Sequence, residues 1–452
     1  MQIPRPTKAP LLSKYTPLGM NDLPFPSNAV VNPYSTDPRI NGSIYATSPV
    51  KTEIEKFENL LIRPDDFTNR VRLAYLWSKG DQQSGRGMGK TALLRYFRQR
   101  INKDWGATEF INQFNAVVVY VAFPSQVDRR YMEQLALSAL VDICKNGVLE
   151  ASRAALRLKH LTDEQSKSVL TDDDGSENFE NLLNNTILAA KGVEVAKLDE
   201  AVTQDLLAAG VQVAPAKALA RGEFEKHLRS YRNDGNLDPL YVPRDTRILD
   251  FSRTILFNDV VNYLRAAGFA GGYLFVDDIE NLVDQMARKA RIEFAKEFAL
   301  CTVRPGYSNT EHNFFSCVLT THQQASVGLS SAWGDAGLSA IARLDPTSPN
   351  SVELPMPSKD QAREIIIAHL DYYRINKSEK GSIKPFTDDG IEALLKNKQM
   401  LHPRVMLSNA AQVVFHAAQA GKTVVDAEVV NSAMDTKVIQ TTDVTDGIEG
   451  AM

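Results

Sequence analysis

Ser84-Gly85-Arg86-Gly87-Met88-Gly89-Lys90-Thr91 decides how the rest of this 452-residue chain is read. Glycines let backbone N–H groups turn inward and approach phosphate oxygens closely. Lys90 adds a cation for the β- and γ-phosphates of a nucleoside triphosphate, and the Thr91 hydroxyl is placed to ligate Mg2+. The following residues, Ala92-Leu93-Leu94-Arg95-Tyr96-Phe97, read as a helix whose N-terminal dipole favours the same phosphates. Against the spacing G-x-x-x-x-G-K-[ST], only the first glycine is replaced, by Ser84. A Gly-Lys-Thr tripeptide in a glycine-rich turn also arises by chance, so a second element has to support it.

That element is Gly271-Gly272-Tyr273-Leu274-Phe275-Val276-Asp277-Asp278-Ile279-Glu280. Its apolar residues, rich in β-formers and entered from a glycine pair, predict a buried parallel strand. Carboxylates at its end fall where α/β sheets bind ligands, beyond the carboxyl edge of the strands. Asp277 would hold Mg2+ through water, and Asp278 would polarise the attacking water in phosphoryl transfer. Taken alone, the pair reads better as a strand followed by an acidic helix cap. Downstream of a phosphate-binding turn, it reads as half of a nucleotide site, with Glu280 as the alternative catalytic carboxylate.

With both motifs in view, the chain resembles the AAA+ ATPases, and within them the initiator-like branch that shades into the STAND signalling ATPases. Gly87, Gly89, Lys90 and Thr91 match that family's G-x-x-G-x-G-K-T form, which Ser84 misses, and Leu274 to Asp278 match its hhhhD[DE] strand. Most members carry Glu where Asp278 stands. The shorter carboxylate implies slow hydrolysis or a switch-like use of ATP. The resemblance covers roughly residues 45 to 440, and it implies ATP and Mg2+ as cofactors and ATPase activity.

Three further matches follow in the family's order. Phe314 to His322 reads as the next strand, ending in polar residues where the family places its γ-phosphate sensor; Thr320 or Thr321 would fill that role. Ala340-Ile341-Ala342-Arg343-Leu344-Asp345 lies where related ATPases place an arginine finger for a neighbouring subunit, although a lone Arg there is also an ordinary surface residue. His402-Pro403-Arg404 resembles the x-P-R opening a lid helix, whose Arg touches the γ-phosphate; Pro in a first helical turn is also a structural commonplace. The segment before the first helix covers the adenine in such proteins, which makes Ile44 and Tyr45 base contacts.

The expected fold class is α/β: an AAA+-type P-loop NTPase, a parallel sheet flanked by helices, with a helical insert and a C-terminal helical lid. Prolines at positions 4, 6, 10, 17, 24, 26, 33 and 38 forbid a continuous helix, so residues 1–48 read as an extended arm. The ATPase core is expected over 49–357, with a helix from Val50 to Leu61 and strands at Val71 to Trp77 and Ala116 to Phe123. Within it, 148–248 is a helical insert with helices such as Glu150 to Leu161 and Gly222 to Arg232, and an exposed acidic turn at Thr171 to Glu177. After Glu280 a long helix is expected from Asn281 to Cys301. The lid is expected over 358–440, opened by a capping box at Ser358-Lys359-Asp360-Gln361, and 441–452 reads as a loose tail.

Composition sets the outer limits. A hydrophobic content of 43% is ordinary for a globular chain, and its length suffices for two or three cores. No run approaches about 18 apolar residues, and Met1 to Pro6 has no apolar signal core, so a cytoplasmic protein without a membrane span is expected. Cys144, Cys301 and Cys317 fit no disulfide or metal-ligand spacing, and the seven histidines include no pair at metal-binding spacing. A net charge of −4 gives nucleic-acid binding no support. The resulting expectation is a nucleotide-gated, homo-oligomeric assembly factor in a prokaryotic DNA-linked system, in the company of replication, transposition and phage-defence ATPases. Its partner protein would meet the insert or the arm, because scaffold loops tolerate added length. The rival expectation is a signalling scaffold that binds ATP and hardly hydrolyses it. A remodelling motor ranks last, because no aromatic-hydrophobic-Gly pore element follows the second strand.

Overall fold

Buried runs of aliphatic and aromatic residues account for the sheet. The computed structural model describes residues 13–27, 35–64, 70–79, 87–122, 131–172, 174–223, 259–281, 286–303 and 314–440. Its strands are β1 (Leu73–Ser78), β2 (Ala116–Ala122), β3 (Gly271–Asp277), β4 (Phe315–His322) and β5 (Ser351–Leu354). Their order is β2-β3-β4-β1-β5. β1 pairs with β4, β4 with β3, and β3 with β2, all parallel. Every residue of β1, β3 and β4 is buried, which is why these segments are mostly apolar on both faces rather than alternating, with polar residues gathered chiefly at their C-terminal ends. Because β4 lies between β1 and β3, the strand before the glycine turn and the strand ending in Asp277 are one strand apart.

The chain divides into two compact units, one gathering Met1–Glu55, Gln83–Phe97 and Leu354–Met452, the other Lys56–Gln82 and Arg98–Glu353. The second unit holds the sheet. Tyr75, Val119, Leu274, Cys317, Leu319 and Trp333 belong to its core. The insert is helical, as expected, with helices at Val148–Leu158, Asp163–Leu170, Asn185–Ala190, Val195–Ala208 and Val213–Arg221. It has a small core of its own around Val169, Leu182, Leu188 and Leu198. The fully buried Arg157 is paired there with Asp199 at 2.6 Å and donates to the Leu182 carbonyl at 2.8 Å. Gly222 is a left-handed C-cap that ends a helix, so no helix begins there. The rest of the expected Gly222–Arg232 helix lies outside the described residues. The long helix expected from Asn281 is interrupted: Ala287 is extended and caps a helix at Arg288–Phe298.

The first unit holds the lid helices Lys359–Tyr373, Asp388–Leu394, Pro403–Gln419 and Ala427–Gln440. Ser358 and Gln361 form the expected capping box. Among its described residues the proline-rich N-terminal stretch is not helical beyond one short turn, yet apolar side chains there do not stay in water. Tyr15, Leu18, Met20 and Phe25 are buried in the same core as Ile366, Leu370 and Val414. The Asn21 N–H donates to the Tyr373 carbonyl at 2.9 Å, and the Ile375 N–H to the Gly19 carbonyl at 3.0 Å. Among the described residues, no helix is long and apolar enough to cross a membrane.

Candidate functional site

Within the first unit, the glycine turn enters its helix as the sequence requires. Gly87 and Gly89 are both left-handed, at φ +81° and +94°, a conformation that costs a side-chain-bearing residue roughly 1–2 kcal/mol. The helix Lys90–Asp104 starts at once, its first bond running from the Leu93 N–H to the Gly89 carbonyl at 2.9 Å. The N–H groups of its first turn have no intrahelical acceptor and point at whatever occupies the turn. A Cβ on Gly89 would meet open space. Met88 and Lys90 are buried and Thr91 is half-buried. Ser84, Gly85 and Arg86 lie outside the described residues.

The lid meets this turn inside the same unit. Arg404, in the first turn of Pro403–Gln419, packs on Gly87, as does the buried His402 that caps the helix. His402 stood in the sequence motif without a role of its own. Ile44 is buried in the lid core, and Tyr45 stacks on Tyr96 at 5.2 Å between ring centroids with 26° between planes. Burial, then the neighbouring Tyr96 and Glu53, push the Tyr45 phenol above its ordinary range. Arg95 donates to the Ile40 carbonyl, which ties the segment before Ile44 to the helix that begins at Lys90. The two residues expected at the base therefore share a unit with the glycine turn.

The second unit builds the carboxylates. β3 carries Asp277 to its end, fully buried. The Thr320 hydroxyl donates to Asp277 Oδ1 at 2.6 Å, the Asp278 N–H reaches the same oxygen at 3.1 Å, and the Tyr120 hydroxyl donates to Oδ2 at 2.6 Å. Hydrogen bonds to a charged group each contribute about 1.5–3 kcal/mol, so the carboxylate is tightly oriented. Asp278 sits at φ +57°, and Thr320 Oγ1 accepts its N–H at 2.8 Å. That contact offsets part of the roughly 1–3 kcal/mol a strained backbone costs.

Thr320 therefore lies at the carboxylates, whereas the buried Thr321 points to the other face of β4, as alternation along a strand dictates. Its hydroxyl reaches only the His322 carbonyl, at 3.4 Å. Glu280 is buried, 1% exposed. Arg343 is exposed, on a segment held by its neighbours: the Tyr75 hydroxyl donates to the Ala342 carbonyl at 3.0 Å. Tyr120 went unnoticed in the sequence. A tyrosine in an otherwise aliphatic buried strand, near that strand's end, was the available signal.

The residues present fit a nucleotide with its metal. Two left-handed glycines precede a helix carrying Lys90 and Thr91. Asp277 is a buried carboxylate with no cation paired to it among the described residues. Of its roughly four acceptor directions, three are taken by Thr320, Asp278 and Tyr120. One on Oδ2 remains, which suits a single water of a hydrated Mg2+. Among the described residues no cluster of three His, Cys, Asp or Glu side chains could hold a metal by itself, so phosphate oxygens and water would supply most of the coordination.

No family model and no curated protein matches this chain. Among solved structures it is similar to the ORC2 protein of Aeropyrum pernix, determined as ADPNP and ADP complexes. That likeness spans 90% of this chain and 69% of the other, at 10% identity and a TM-score of 0.40. It is also similar to a Walker-type ATPase of Pyrococcus abyssi, over 93% of this chain and 78% of the other, at 12% identity and a TM-score of 0.33. The class rests on the chain's own sheet and turn: an α/β P-loop NTPase fold, with a helical insert and C-terminal helices.

Proposed function

We propose that this protein is an AAA+-type ATPase of the initiator-like kind, binding ATP with Mg2+ and using the nucleotide to gate oligomeric assembly. The observation that carries the reading is the left-handed pair Gly87 and Gly89 opening directly into a helix at Lys90 and Thr91. Lys90 takes the β- and γ-phosphates and Thr91 the metal. Asp277 orients a metal-bound water and Asp278 the attacking one. Thr320 fixes the Asp277 carboxylate and the Asp278 backbone, and Arg404 reads the γ-phosphate from the lid. When bound, Mg2+ supplies charge neutralisation of the phosphates. The assembly role, in a prokaryotic system acting on DNA such as phage defence, comes from the family resemblance alone.

A second reading, an ATP-bound signalling scaffold with little turnover, is favoured by the short side chain and left-handed backbone of Asp278. Calorimetry tests the common core of both. Lys90→Ala is expected to weaken ATP binding roughly tenfold to a hundredfold, the value of about 1.5–3 kcal/mol for a charged hydrogen bond. Equal affinity in the two proteins would remove the P-loop assignment. Phosphate release measured on the wild type then separates the ATPase from the scaffold.

A further inference from the structure

We propose that Tyr120 is a positioning residue for the metal-side carboxylate, holding Asp277 so that only one acceptor direction of Oδ2 is left for a hydrated divalent cation. The inference rests on the ATP and Mg2+ reading of the site and deepens it. Tyr120 lies on β2 beside Phe275 of β3, and its side chain is 2% exposed. Its hydroxyl donates to Asp277 Oδ2 at 2.6 Å, opposite the Thr320 hydroxyl on Oδ1 at 2.6 Å. The two donors grip the carboxylate from both sides and fix its rotation about the Cβ–Cγ bond.

Tyr120 is itself held. Its N–H donates to Asp142 Oδ2 at 3.0 Å, and the other oxygen of the fully buried Asp142 accepts from Arg98 at 2.8 Å. A phenol at this position reaches across from a neighbouring strand to a carboxylate it does not need for its own burial. A phenylalanine would fill the same apolar space. The hydroxyl therefore serves Asp277. Without it, Asp277 Oδ2 loses its only side-chain donor among the described residues, the carboxylate rotates, and the water it presents to the metal is no longer placed. Hydrogen-bond donors that orient a metal-side carboxylate typically change metal affinity by about tenfold or more.

Tyr120→Phe tests this, read by nucleotide calorimetry in EDTA and across a Mg2+ titration, with thermal unfolding as a check of the fold. The expected result is unchanged affinity in EDTA and a half-saturating Mg2+ concentration raised about tenfold. Thr320→Val should shift the Mg2+ curve the same way, and Thr320→Ser, which keeps the hydroxyl, should restore it. Superimposable Mg2+ curves for wild type and Tyr120→Phe overturn the proposal. So does an equal loss in EDTA and Mg2+, because the hydroxyl would then be holding the fold rather than the metal carboxylate. If the wild type binds no nucleotide in either condition, the ATP reading itself falls and takes this proposal with it.

Discussion

Arg404 packs directly on Gly87: a Cβ on Gly87 would stand 2.8 Å from the Arg404 Cβ and 2.7 Å from the His402 Cε1. Real Cβ atoms do not come so close, and φ +81° disfavours a side chain in any case. Gly87 is therefore demanded twice, once by the turn and once by the lid residues lying on it. Gly87→Ala is expected to cost about 1–2 kcal/mol from the backbone alone, with the displaced Arg404 lowering ATP affinity further. Urea unfolding and calorimetry check the two effects. An unchanged urea midpoint would mean that the lid residues simply step aside.

Asp277 and Asp278 should fail in different ways. Asn tolerates the left-handed backbone of Asp278 about as well as Asp does, so Asp278→Asn should leave the fold and ATP binding intact. It removes the charge that orients water, and turnover should stop with ATP still bound, trapping any ATP-dependent oligomer. Asp277→Asn should instead weaken Mg2+-dependent binding. If Asp278→Asn hydrolyses ATP at the wild-type rate, the buried Glu280 becomes the carboxylate to replace.

The lid core carries a pH liability in His369, whose ring lies 5.8 Å from that of Phe25 and whose Nδ1 sits 3.2 Å from the Pro24 carbonyl. Burial chiefly lowers its pKa to about 4, with Arg39 adding to the depression and the Pro24 bond and Asp37 opposing it. Between pH 6.5 and about 4 the unfolded chain binds a proton that the folded lid refuses. Stability is thus full above the unfolded value and falls as the pH drops through that window, by at most about 3 kcal/mol. Urea midpoints at pH 7, 5.5 and 4.5 should fall more steeply for the wild type than for His369→Leu. Parallel curves would show that His369 accepts its proton without opening the lid.

β3 could be read in the sequence because a strand buried on both faces must be continuously apolar, and Asp277 marked its end. The Lys90 helix was legible for the same kind of reason, since glycines and Lys-Thr have few other uses together. The Tyr120–Asp277 pairing was not legible, though the lone tyrosine in an aliphatic strand was visible: its partner is 157 positions away, and their meeting depends on β2 lying beside β3, which no local pattern encodes. The burial of Tyr15, Leu18, Met20 and Phe25 was hidden by the prolines around them, which exclude helix but say nothing about packing. The break at Ala287 escaped notice because Asn281 to Cys301 has helical periodicity throughout, and one extended residue leaves that pattern almost untouched.

Arg343 is the residue on which the assembly model turns. It is exposed, yet the chain on either side of it is pinned. The Ala342 carbonyl accepts from the Tyr75 hydroxyl, which in turn accepts from Trp333 Nε1 at 2.8 Å. The Asp345 carbonyl accepts from Ser351 Oγ at 2.7 Å, and Ser351 Oγ accepts from Trp77 Nε1 at 3.1 Å. A cation presented from a segment held in this way suits action on a neighbouring subunit, where a finger contributes on the order of 10³ or more to turnover. Mixing Arg343→Ala subunits with Lys90→Ala subunits should then restore some activity, because intact Lys90 sites meet intact Arg343 neighbours. Arg404→Ala should fail in its own site whatever its neighbour, since it lies on its own Gly87 turn. A size-exclusion profile insensitive to ATP, with an Arg343→Ala protein of normal activity, would remove the shared site and leave a monomeric switch that closes through Arg404.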